Sequence, residues 1–139
     1  MTDDVTISHA LKGERSMTYI LVCRQKDGKI QQYSAGFRVP GAAFSDLEIT
    51  ARVRYDGGTP EPLVVVTSSR PDFVFVGRNA TESGDFASRM RKASSVAIEI
   101  LGQGAIRYVD RFLPETSSHN MLTMLQQMLD CMHRLDGER

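Results

Sequence analysis

Residues 44–58 read FSDLEITARVRYDGG, and the alternation inside them decides the fold class. Leu47, Ile49, Ala51, Val53 and Tyr55 fall on one parity, and Glu48, Thr50, Arg52 and Arg54 on the other. Successive side chains of a strand point to opposite faces. This segment therefore predicts a strand with one apolar and one charged side, as in an antiparallel sheet that is wet on one side. The run YDGGTPEP breaks it.

The same period recurs on both sides. Upstream, MTYILVC puts Met17, Tyr19, Leu21 and Cys23 on one face. KDGK follows, and an Asp-Gly pair between two alternating runs signals a hairpin, because both turn positions tolerate positive φ. The return strand is KIQQYSAGF, ended by Pro40-Gly41. Val5 to Leu11 predicts a first strand, with a loosely ordered arm over residues 1–16 as the alternative. Downstream, LVVVT and FVFVG predict a fully buried strand pair separated by SSRPD. TESGDFASRMRKA predicts a helix of two to three turns with a Ser or Asp cap and with Asp85 and Arg89 four apart. SVAIEIL and AIRYVDRFL flank GQG as a hairpin. TSSHN then offers caps for a final helix, roughly residues 118–135, closed by Gly137. Strands dominate and no βαβ unit is present. The expectation is a single domain over residues 1–139: a mainly β, α+β fold. It is a small antiparallel sandwich or barrel-like sheet with one short helix and a packed C-terminal helix.

Composition narrows the function. The chain has 139 residues, 41% apolar and 24% charged, with formal net charge zero. It lacks the basic excess of a nucleic-acid binder, so no nucleic-acid partner is expected. Its longest apolar runs, such as LVVV and YILVC, are too short to span a bilayer. MTDDVTISHALKGERS is polar and has no hydrophobic stretch of a signal peptide, so export would imply a signal already removed.

HNMLTMLQQMLDCMH, residues 119–133, gathers soft and borderline metal ligands. On a helical wheel the methionines share one half with Leu122, Leu125, Leu129 and Leu135. Thr123, Gln126, Asp130, His133 and Arg134 take the other half. A mixed Leu/Met stripe about half the circumference wide suits packing on a sheet. Packing, or a partner-facing surface, is therefore expected over metal binding. The alternative is a soft-metal or small-ligand site at Met124, Met128 and Cys131, which spacing at i, i+4 and i+7 lets converge and whose soft ligands select copper(I).

Cys23 and Cys131 are the two cysteines. One lies on the apolar face of a strand and the other at the edge of the closing helix's apolar stripe, which favours a Cys23–Cys131 disulfide. It would close about a hundred residues, worth roughly 4 to 5 kcal/mol in the chain-entropy model. Two buried thiols of a cytosolic protein are the alternative.

No catalytic constellation assembles. Three histidines (His9, His119, His133) are scattered, and no HExxH, GxSxG, P-loop or GxGxxG is present. A Cys/His pair would require a free thiol. Asn79-Ala80-Thr81 matches a glycosylation sequon. No enzyme activity and no cofactor are expected. The partner-binding candidates are Val39 and Phe44, from the apolar connection RVPGAAF, and Arg78 and Arg89, from a basic cluster diluted by Glu82 and Asp85. An unpaired sheet edge could also pair two copies into a homodimer.

The segments YILVCRQKDGKIQQY, ITARVRYDGGTPEP, VTSSRPDFVFV, DFASRMRKASSVAIEI and LQQMLDC together resemble the VasI-like accessory proteins of type VI secretion, over roughly Met17 to Cys131. The correspondence rests on Cys23, Cys131, the Arg54-Tyr55-Asp56 region and the helix from Phe86 to Ala93. Family members carry tryptophans, one just after the final cysteine; this chain has none, and Met132-His133 stands there. The resemblance implies a small periplasmic or otherwise exported two-cysteine domain with an accessory, protein-binding role linked to bacterial secretion or the envelope. A cytoplasmic or phage-encoded interaction protein is the alternative.

Overall fold

A computed structural model describes residues 5–26, 29–44, 49–102 and 106–113. Nine strands and one helix occur among them: β1 (Val5–Lys12), β2 (Thr18–Lys26), β3 (Lys29–Arg38), β4 (Thr50–Tyr55), β5 (Glu61–Leu63), β6 (Val65–Thr67), β7 (Phe73–Val76), α1 (Ala80–Lys92), β8 (Val96–Leu101) and β9 (Arg107–Phe112). They form two antiparallel sheets, a five-stranded one in the order β1-β2-β3-β7-β6 and a four-stranded one in the order β5-β4-β8-β9. The expectation of a mainly β, α+β fold holds, and of the sandwich and the barrel-like sheet the two separate sheets fit the sandwich. The final helix over 118–135 lies outside the described residues.

Alternation builds each strand as expected. Met17, Tyr19, Leu21 and Cys23 are all buried, and so are Ala51 and Val53, while Thr50, Arg52 and Arg54 face water. The inward faces meet in a cluster of rings. Tyr19 and Phe37 come from the five-stranded sheet, Phe112 from the four-stranded one and Phe86 from α1, with centroids 5.3 to 6.4 Å apart. Each such ring removed from water contributes about 1.5 to 3 kcal/mol. The cluster therefore couples both sheets and the helix through one set of contacts.

Two local expectations are corrected. LVVVT is not one buried strand: the chain leaves the four-stranded sheet at Leu63 and enters the five-stranded sheet at Val65. Val64 is the corner, and it and Val66 are each 39% exposed. An apolar run shows only that burial is favoured, and here two edge strands share the run. The helix cap is Asn79, not a Ser or Asp: its side chain accepts the Glu82 N–H at 2.9 Å, and Glu82 Oε1 accepts the Arg78 N–H at 3.0 Å. This reciprocal arrangement at the first turn resembles a capping box and starts the helix before the segment that showed the period.

The four-stranded sheet is locked to the β1–β2 loop by one carboxylate. Asp110 is 3% exposed. Its Oδ1 accepts the N–H groups of Arg15 (2.9 Å) and Arg111 (2.7 Å), and its Oδ2 accepts that of Met17 (2.9 Å). The Glu14 N–H donates to the Arg111 carbonyl at 2.9 Å, and Arg111 pairs with the Glu14 carboxylate at 2.8 Å. Gly13 packs tightly beside it: a Cβ there would meet the Asp110 carboxylate at 2.5 Å, so a side chain would have to displace the clamp.

Candidate functional site

The expected contact loop turns inward. Val39 and Phe44 are 4% and 7% exposed, so neither has free surface to offer a partner. The connection is strapped to residues 71–72: the Val39 N–H donates to the Asp72 carbonyl and the Phe44 N–H to the Pro71 carbonyl, both at 2.7 Å. The Phe44 ring packs edge-on against Tyr108. A small apolar connection between sheets can close a sandwich as readily as it can display a patch.

The two arginine candidates stand at opposite ends of α1. Arg78 is exposed, just before the helix. Arg89 is already engaged: its guanidinium forms two 2.8 Å hydrogen bonds to Glu61 and lies 4.0 Å above the Tyr55 ring. The expected Asp85–Arg89 link gives way to this bidentate pair, which joins the helix to β4 and β5. Its electrostatics agree. The Arg89 hydrogen bond holds the Glu61 carboxyl below the usual range, and Glu61 raises Arg89. Burial pushes the Tyr55 hydroxyl up, against the opposing effect of Arg89.

Cys23 is 1% exposed, on the inward face, and it is not a free thiol. Cys131 lies outside the described residues, as do Met124, Met128, His119 and His133. Among the described residues, no three His, Cys, Asp or Glu side chains gather as a metal would require. No described helix is long and apolar enough to cross a membrane.

What the chain does present is two unlike outward faces. On the five-stranded sheet, strand register lines up Ala10, Ile20, Gly36, Phe75 and Val66, one residue from each strand. That row carries no polar side chain. Phe73 leans across Gly36 and meets Phe75 edge-on, centroids 5.1 Å apart. Ile20, Val22, Phe73 and Phe75 are half-buried, with Val66 open beside them. The row was readable as alternate positions within each strand, but not as a row, because β7 and β6 reach β3 only through long-range pairing.

On the four-stranded sheet the outward positions of β4, β8 and β9 include Arg52, Arg54, Arg107 and Arg111 against a single acid, Glu99. Arg107 lies 3.6 Å from Glu99, and Arg111 is held by Glu14. Arg52 and Arg54 make no ion pair or hydrogen bond among the described residues. A shallow groove of about 270 Å³ runs between them and Val109, with Pro60, Ala97 and Glu99 along it. Ala97 stands in register between Arg54 and Arg111, and its single methyl group leaves the hollow. No protein-family model, no curated protein and no solved structure matches the chain.

Proposed function

We propose that this is a non-enzymatic, exported accessory domain that works by binding another protein through the outward face of its five-stranded sheet. The observation that carries the reading is the apolar row Ala10, Ile20, Gly36, Phe75 and Val66, flanked by Phe73 and Val22. Contiguous apolar surface on a folded domain marks contact sites, and the occupant that suits this face is an apolar surface of a different protein. Export is supported by the placement of Cys23, which is buried and not a free thiol and whose partner in this reading is Cys131, and by the resemblance to VasI-like accessory proteins. Disulfides persist in oxidising compartments.

The test uses the full chain purified from an oxidising compartment. Crosslinking in the native envelope fraction should give one defined heteromeric adduct, and the double variant Val66→Lys/Phe75→Lys should lose it while keeping its thermal unfolding transition. An adduct equally strong in the variant, or a homodimer as the sole product, would remove the reading. Intact mass before and after reduction tests the bridge. No change in mass would show that Cys23 and Cys131 are unpaired and would withdraw the argument for export.

A further inference from the structure

Arg52 and Arg54, which make no ion pair among the described residues, have no part in that contact. We propose that the outward groove of the four-stranded sheet is a second binding site, one that takes an extended acidic segment of a protein partner. Arg52 and Arg54 are alternate residues on one side of β4, so their side chains leave the strand about 7 Å apart. Alternate side chains of an extended peptide repeat at the same interval. Two carboxylates at positions i and i+2 therefore match the two guanidinium groups one to one, each with the planar fork that suits bidentate pairing. Pro60 and Val109 give the groove apolar walls, and Ala97 leaves room for a chain to lie in it.

The charge arrangement argues for peptide carboxylates over a polyphosphate. Net charge over the chain is zero, yet this face concentrates four arginines against Glu99. Two of them are already matched by Glu99 and Glu14. The remaining pair suits a short acidic motif and is too little to track a nucleic-acid backbone. No outward position of β4, β8 or β9 is aromatic, so bases would find nothing to stack on.

The proposal rests on the reading of the domain as a protein-binding module, but on a different face, so the two fail separately. Fluorescence anisotropy with a labelled heptapeptide of alternating glutamate and valine tests it, against an alternating lysine and valine peptide and a single-stranded oligothymidylate. The glutamate peptide should bind, and binding should weaken as salt rises. Arg52→Glu/Arg54→Glu should weaken it by about tenfold or more, as two exposed ion pairs allow. Arg15→Glu/Arg24→Glu, the same charge change on exposed residues elsewhere, should alter it by less than about twofold. Ala97→Leu fills the hollow without changing charge and should weaken binding severalfold. Equal losses from the two double variants, unchanged binding in Ala97→Leu, or preference for the oligonucleotide would each overturn the site. Val66→Lys/Phe75→Lys should bind the peptide like the parent chain. Loss of peptide binding in that variant would merge the two faces into one site and also overturn the proposal.

Discussion

Across the five-stranded sheet, an outward row runs Ala10, Ile20, Gly36, Phe75, Val66 without a charge; across the four-stranded sheet, the row Pro62, Arg52, Glu99, Val109 mixes both signs with apolar side chains. The inward rows differ far less: apart from Thr67, Glu61 and Asp110 their described residues are aliphatic or aromatic, and they meet over Tyr19, Phe37 and Phe112. Burial imposes the same demand on both inner faces, so they converge. Solvent tolerates nearly any side chain, so outward faces are free to diverge, and their divergence carries the functional information.

The largest expected effect breaks the frame that both faces share. Asp110→Ala removes a buried carboxylate and strands the N–H groups of Arg15 and Met17. It should lower unfolding free energy by about 3 kcal/mol in a denaturant titration. Because the clamp lies between the β1–β2 loop and β9, both outward faces should be lost in one transition. Two separate transitions would show that the sheets are independent units.

A smaller effect should fall on one face alone. A Cβ on Gly36 would meet the Phe73 ring and come within 2.6 Å of the Val74 carbonyl oxygen. Gly36→Ala should therefore cost about 1 to 3 kcal/mol and abolish the heteromeric adduct, while leaving glutamate-peptide binding near its parent value. Loss of both activities would show that the faces are coupled.

The smallest effect concerns the helix that ties the four-stranded sheet to the core. Glu61 is held below the ordinary carboxylate range by Arg89. A carboxylate with a lowered folded pKa contributes stability above its unfolded pKa and loses it as pH falls through the folded value. The melting-temperature gap between the parent and Glu61→Gln should be small at neutral pH and should close below about pH 4. A gap that persists in acid would show that the loss does not come from the ionised Glu61 carboxylate.

Much of the frame was legible in the chain. The parity of Met17, Tyr19, Leu21 and Cys23, and that of Ala51 and Val53, named buried residues correctly, and the turn signals at Asp27-Gly28 and Gly102 fell between paired strands. Asp110 was legible in principle, since it shares parity with Tyr108 and Phe112, and an acid on an apolar face needs buried donors. The binding faces were less so. In the sequence Val39 and Phe44 look like a display loop because nothing local distinguishes an apolar connection that is strapped down from one that is open. Arg52 and Arg54 were visible as a charged side, but that they make no ion pair among the described residues depends on Glu99 and Glu14 choosing Arg107 and Arg111.

By itself the sequence determined the period-two strands, the turns between consecutive ones and which residues would seek burial, because these follow from backbone geometry and side-chain polarity within a few residues. Only the tertiary structure decided that LVVVT splits between two sheets, that β7 lies beside β3 and β8 beside β4, and which outward residues line up as rows. Those choices depend on register between strands far apart in the chain, which the shared ring cluster and the Asp110 clamp select together.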